Sequence, residues 1–82
     1  MSVHTLSLYA LIQERRKLER AYHQQDWDEF ARLDPVLMAC IKTASEDPHR
    51  TASALLKEIK RVVGLYREMT ALSQREFLLP NQ

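Results

Sequence analysis

His4, His23, His49 and Cys40 are the side chains a transition metal would use first in this 82-residue chain. No two of them stand at the i, i+4 spacing, or at the short loop spacing, that zinc sites use, so no metal centre is expected. Gly64 is the one glycine. That excludes the phosphate-cradling patterns G-x-x-x-x-G-K and G-x-G-x-x-G and the nucleophile elbow G-x-S-x-G, each of which needs more than one. Asp26 and Asp28 could be read as an acid and base pair, but they sit where a helix begins, and capping explains them. With no nucleophile beside a base, the chain reads as a non-enzyme with no cofactor.

The run Glu14-Arg15-Arg16-Lys17-Leu18-Glu19-Arg20 is the strongest cationic stretch. Its charges spread around a helix with Glu14 and Glu19 interleaved, which is the pattern of a solvated face, and no aromatic side chains interleave to stack bases. Residues 1 to 25 carry four basic and two acidic side chains, 26 to 47 two and six, and 48 to 82 six and three, giving +2, −4 and +3 and the overall +1. This segregation favours antiparallel neighbours and offers no single-sign field for nucleic acid. A single cysteine cannot form an internal disulfide, which fits a reducing compartment. The N-terminus lacks a basic n-region followed by an apolar run, and no apolar stretch approaches the ~20 residues of a membrane span. A cytoplasmic, soluble protein is expected.

The elements that position these residues are helices. Apolar content of 45% with one Gly and three Pro, and no alternating β-branched run, places the chain in the all-α class. The pattern predicts a single domain, an antiparallel three-helix bundle over residues 1–82, with helices at about 4–24, 26–44 and 48–79. Ser2 or Thr5 would cap the first helix and Asp26 the second, with Asp28 and Glu29 in its first turn. Trp27, Phe30, Leu33, Leu37, Met38, Ile41 and Ala44 form the buried stripe of helix 2. Pro35 should kink or break that helix near Leu33. Asp47-Pro48 reads as a cap and first-turn proline for helix 3, and Gly64 as a position for a close helix crossing.

In helix 3, Leu55, Leu56, Ile59, Val62, Val63, Tyr66, Met69 and Phe77 fall within an arc of about 140° at 100° per residue. Leu65 and Leu72 lie outside it and widen the apolar arc to roughly 200° in the second half. Helices 1 and 2 should each be about 30 Å long and residues 48 to 78 about 46 Å. Met69 to Leu79 should then overhang the turn near Asp26, carrying apolar side chains toward solvent or a partner. The first turns of helix 1 add Val3, Leu6 and Tyr9 to that surplus. Arg15 and Asp34 are charges inside apolar stripes, at positions that face one another in a hairpin about residue 25. They are predicted to form a partly buried ion pair that fixes register, while Trp27 packs near Tyr22.

Ala21-Tyr-His-Gln-Gln-Asp-Trp-Asp-Glu-Phe-Ala-Arg-Leu33 resembles the flagellar export chaperone family FliT, whose members carry an alanine near the end of the first helix, a short polar turn and a Trp-Asp pair opening the second. Trp27-Asp28 match that pair, and a long Leu-rich third helix with Arg75 near its end is also similar. The resemblance spans about residues 8 to 78. It implies a cytoplasmic chaperone that binds the C-terminal region of the filament-cap protein and delivers it to the flagellar export apparatus, with a flagellar transcription regulator as a further partner in enteric members. Family binding surfaces lie on the second and third helices, often masked by a C-terminal helix. These 82 residues hold three helices, so the resemblance is to a short member lacking the fourth, with dimerisation in place of self-masking. The partner-binding residues so implied are Val36, Met38, Leu65, Met69, Leu72 and Phe77, forming a groove for an amphipathic helix. The same residues would equally suit a homodimer seam. The alternative class is a small dimeric adaptor or regulator of another secretion or assembly system.

Overall fold

The structure, a computed structural model, describes residues 5–78, with side chains through Leu72. It is an all-α bundle of three helices, α1 (Leu6–His23), α2 (Trp27–Glu46) and α3 (Ala52–Leu78). Thr5 caps α1 by accepting a hydrogen bond from the Leu8 amide at 3.2 Å. The α1–α2 turn closes with the Gln25 amide donating to the Tyr22 carbonyl at 3.0 Å and the Asp26 amide to the Ala21 carbonyl at 2.9 Å. This is the Schellman pairing, and it puts Gln25 in the left-handed region at φ 57°, where glycine is ordinarily found. Asp26 then caps α2 as anticipated, accepting from the Glu29 amide at 3.2 Å.

Two boundaries differ from the sequence expectation. α2 runs unbroken through Pro35. The proline is on the exposed side of the helix, where water can satisfy the carbonyl that loses its amide partner. Helix 3 begins at Ala52 rather than Pro48. Asp47 ends α2 instead of opening α3, and its carboxylate holds the connection: it accepts from the Ser7 hydroxyl at 2.6 Å and from the His49 amide at 2.8 Å. A side chain that ties three segments together is unavailable as a helix cap.

The core contains Leu8, Leu11, Leu18 and Ala21 from α1, Phe30, Leu33, Leu37 and Ala44 from α2, and Leu55, Val62 and Leu65 from α3. α1 and α2 pack most closely, and α3 stands further from both. The molecule is elongated, 55 × 21 × 21 Å with a radius of gyration of 14.9 Å. A spherical domain of this length would have about 12 Å. Tyr66 lies against Phe30, one turn into α2, and α1 ends at His23. The backbone of α3 from about Thr70 onward therefore runs past both neighbours.

α3 presents a different face from the one the apolar residues alone suggest. Leu55, Glu58, Val62 and Leu65 are its buried positions, whereas Leu56 and Val63 are 52% and 43% exposed. The buried face is turned by about 70° from the axis of the purely apolar stripe. The cause is Glu58, which enters the core beside Arg15: Arg15 Nε donates to Glu58 at 2.6 Å and Arg15 Nη1 to Glu19 at 2.8 Å. The Arg15–Asp34 pair anticipated from hairpin register is thus absent, because α3 supplies a closer carboxylate. Trp27, expected in the buried stripe, is 44% exposed, and Gly64 supports no close crossing, since a Cβ there would meet nothing within 4 Å.

Candidate docking groove

Rotation of α3 toward Arg15 leaves a second, mostly apolar row along the edge of its buried face, with Leu56, Val63 and Thr70 exposed and Ile59 and Tyr66 partly buried. Leu56, Ile59, Val63, Tyr66 and Thr70 follow an i, i+3, i+7, i+10, i+14 pattern, a seam parallel to the core-facing one. On α2, Met38 and Ile41 lie on the side that meets this seam. The two helices are far enough apart to leave an open groove of about 510 Å³ between them, lined by Met38, Ile41, Ile59, Val62, Val63, Tyr66, Arg67, Thr70 and Ala71. Met38 and Val63 are each more than two-fifths exposed, while Ile41, Ile59 and Tyr66 back onto the core.

One polar contact crosses the groove floor. The Tyr66 hydroxyl donates to the Asp34 carboxylate. Burial and then the bond to Asp34 hold the Tyr66 phenol well above its ordinary pKa. Tyr66 also stacks edge-on against Phe30 at 5.8 Å, and Phe30 against Trp27 at 6.2 Å, so its ring is positioned from two sides. Trp27 continues the row to Tyr22 at 5.9 Å. This aromatic row holds the end of α2 where the turn enters. On the opposite side of α3, Arg15 is buried with Glu58; burial opposes its charge, and the bonds and charges of Glu58 and Glu19 outweigh that and hold its pKa above the ordinary value. Its role is to orient α3 and thereby present the groove.

The residues implied by resemblance are distributed unevenly over this geometry. Met38 lines the groove. Val36 is exposed but stands about 200° from Met38 around α2, on the other flank. Leu65 is buried at 5% exposure and belongs to the core; Met69 packs against the core, and Leu72 is half-buried. The Phe77 side chain lies outside the described residues. Val63, which the apolar stripe assigned to the core, forms groove wall instead, while Ile59 and Tyr66 pack against the core as assigned and line the groove as well. The clue was in the sequence: Leu55, Glu58, Val62, Leu65, Met69 and Leu72 are heptad-spaced, and admitting a charged residue to that face would have found it.

Among the described residues no cluster of His, Cys, Asp and Glu could hold a metal ion, and no helix is long and apolar enough to cross a membrane. No family model, curated protein or solved structure matches this chain.

Proposed function

We propose that this chain is a non-enzymatic helical chaperone of the flagellar export type, holding the C-terminal region of the filament-cap protein through the α2–α3 groove. The observation that carries this reading is the groove itself: an apolar channel about 510 Å³ in volume, walled by half-exposed side chains at helical spacing on two neighbouring helices. An amphipathic helix laid there would bury Met38 and Val63, with flexible Met38 accommodating different side chains. The Trp27-Asp28 turn and the long third helix support the same assignment by resemblance. A dimeric adaptor of another secretion or assembly system would use the same surface for self-association.

A pull-down with the filament-cap C-terminal segment, combined with light scattering of the free chain, tests the proposal. Capture of the segment, lost in Met38→Asp and Val63→Asp variants of unchanged helicity, supports it. No binding at roughly 50 μM would remove the chaperone reading. A stable free dimer that the segment leaves intact would favour the adaptor.

A further inference from the structure

The groove has charge as well as shape. On the outer rim of α3, Lys60 and Arg67 are exposed and one heptad apart, which spaces them by about 10 Å along the helix. Lys42 is exposed on α2; it lies eight residues beyond Asp34, which meets Tyr66, and in antiparallel register that sets it about level with Glu58 and Ile59. Four described cations elsewhere are ion-paired: Arg15 with Glu58 and Glu19, Lys17 with Glu14 at 3.0 Å, Arg32 with Glu29, and Arg61 with Glu58 at 3.9 Å. The three rim cations have no ion-pair partner among the described residues. Asp34 is the acidic side chain beside the floor, and its carboxylate already receives the Tyr66 hydroxyl. Glu46 stands one turn beyond Lys42 and about 40° further round α2, away from the groove.

We propose that the groove selects an amphipathic helix whose apolar stripe is flanked by acidic side chains, and that this helix comes from another protein rather than from a second copy of this chain. The proposal rests on the docking reading above. Ile59 to Ala71 spans about 18 Å, which accommodates a helix of about 12 residues. Two acidic residues seven apart on one side of its stripe face Lys60 and Arg67, and one on the other side faces Lys42. Complementary charges at a rim contribute mainly register and selectivity, and their effect weakens with salt. Two copies docked groove to groove would set basic rims against basic rims, a repulsion that works against self-pairing.

The test uses two labelled synthetic helical peptides of about 14 residues with the same leucine stripe, one flanked by Glu and the other by Lys, titrated against the full chain by fluorescence anisotropy. At about 0.05 M salt the Glu peptide should bind at least about tenfold more tightly, and at about 0.5 M the difference should fall to about twofold. A Lys60→Glu/Arg67→Glu variant, both positions being on the surface, should reverse the preference with unchanged circular dichroism. Equal binding of both peptides overturns the charge selectivity while leaving the apolar docking reading standing. Binding of neither overturns both. A dimer at about 10 μM that the Glu peptide fails to dissociate overturns the choice of occupant.

Discussion

Replacing Arg15 by methionine should destabilise this protein strongly, whereas replacing Arg15 and Glu58 together should not. The Arg15 and Glu58 side chains are 7% and 10% exposed and meet at 2.6 Å. Removing the guanidinium leaves a buried carboxylate whose nearest other cation, Arg61, is 3.9 Å away. Breaking a buried pair in this way costs about 3–5 kcal/mol, and the residual exposure and Arg61 place Arg15→Met near the lower end. A domain of 82 residues has about 4–12 kcal/mol in total, so the loss is a large share of it. With a urea slope of about 1 kcal/mol/M, the midpoint should fall by roughly 3 M. The double variant Arg15→Met/Glu58→Leu replaces the pair with apolar side chains and should lie within about 1 kcal/mol of the parent, giving a coupling of at least about 2 kcal/mol. The parallel cycle of Arg15→Met with Asp34→Asn should be additive, because those two side chains do not pair. Urea melts followed at 222 nm measure all of these. An Arg15→Met cost below about 1 kcal/mol, or an additive Arg15/Glu58 cycle, would refute the account of how α3 is oriented.

Further outcomes follow from single contacts. Moving the chain's glycine to the turn should stabilise it twice over: Gln25→Gly relieves a left-handed residue and Gly64→Ala improves helix propensity where a Cβ meets nothing within 4 Å. Each should add about 1 kcal/mol in thermal melts. Tyr66→Phe should destabilise by about 1–2 kcal/mol at neutral pH through loss of the bond to Asp34. The Tyr66 pKa is raised by burial and by Asp34, so its contribution is complete below the ordinary value of 10.0 and fades above it; the gap between parent and variant should narrow at high pH. Asp47 behaves in the opposite sense. The Ser7 hydroxyl, then the His49 amide, lower its pKa below the ordinary 3.8, so it contributes above that value and loses the contribution as pH falls through the lowered one. Ser7→Ala should be less stable than the parent at neutral pH and converge with it in acid, read from melts between about pH 2 and 7.

Much of the architecture was legible without coordinates. Helical composition, the cap at Asp26, Thr5 as one of two candidate caps, and the three-helix order are local or periodic signals, and local signals survive into the fold because each concerns neighbours within a turn or two. The failures were non-local. Asp47-Pro48 has the local form of a helix start, yet the Asp47 carboxylate is bound by Ser7, forty residues away in sequence. Pro35 reads as a kink or a break, and its outward position in the bundle is what excludes the break and lets the helix continue.

The sequence by itself determined that no metal pattern or phosphate loop is spelled out in it, and that helix 3 carries more apolar surface than one neighbour can cover. Which residues make up that surplus was decided by tertiary structure. Glu58 is drawn inward by Arg15 from another helix, and α3 turns with it, burying Leu65 and exposing Val63. A hydropathy pattern assigns charged residues to the outside and therefore cannot foresee an ion pair that rotates a helix. The groove beside Tyr66 is the consequence of that rotation and of the wider separation between α3 and α2.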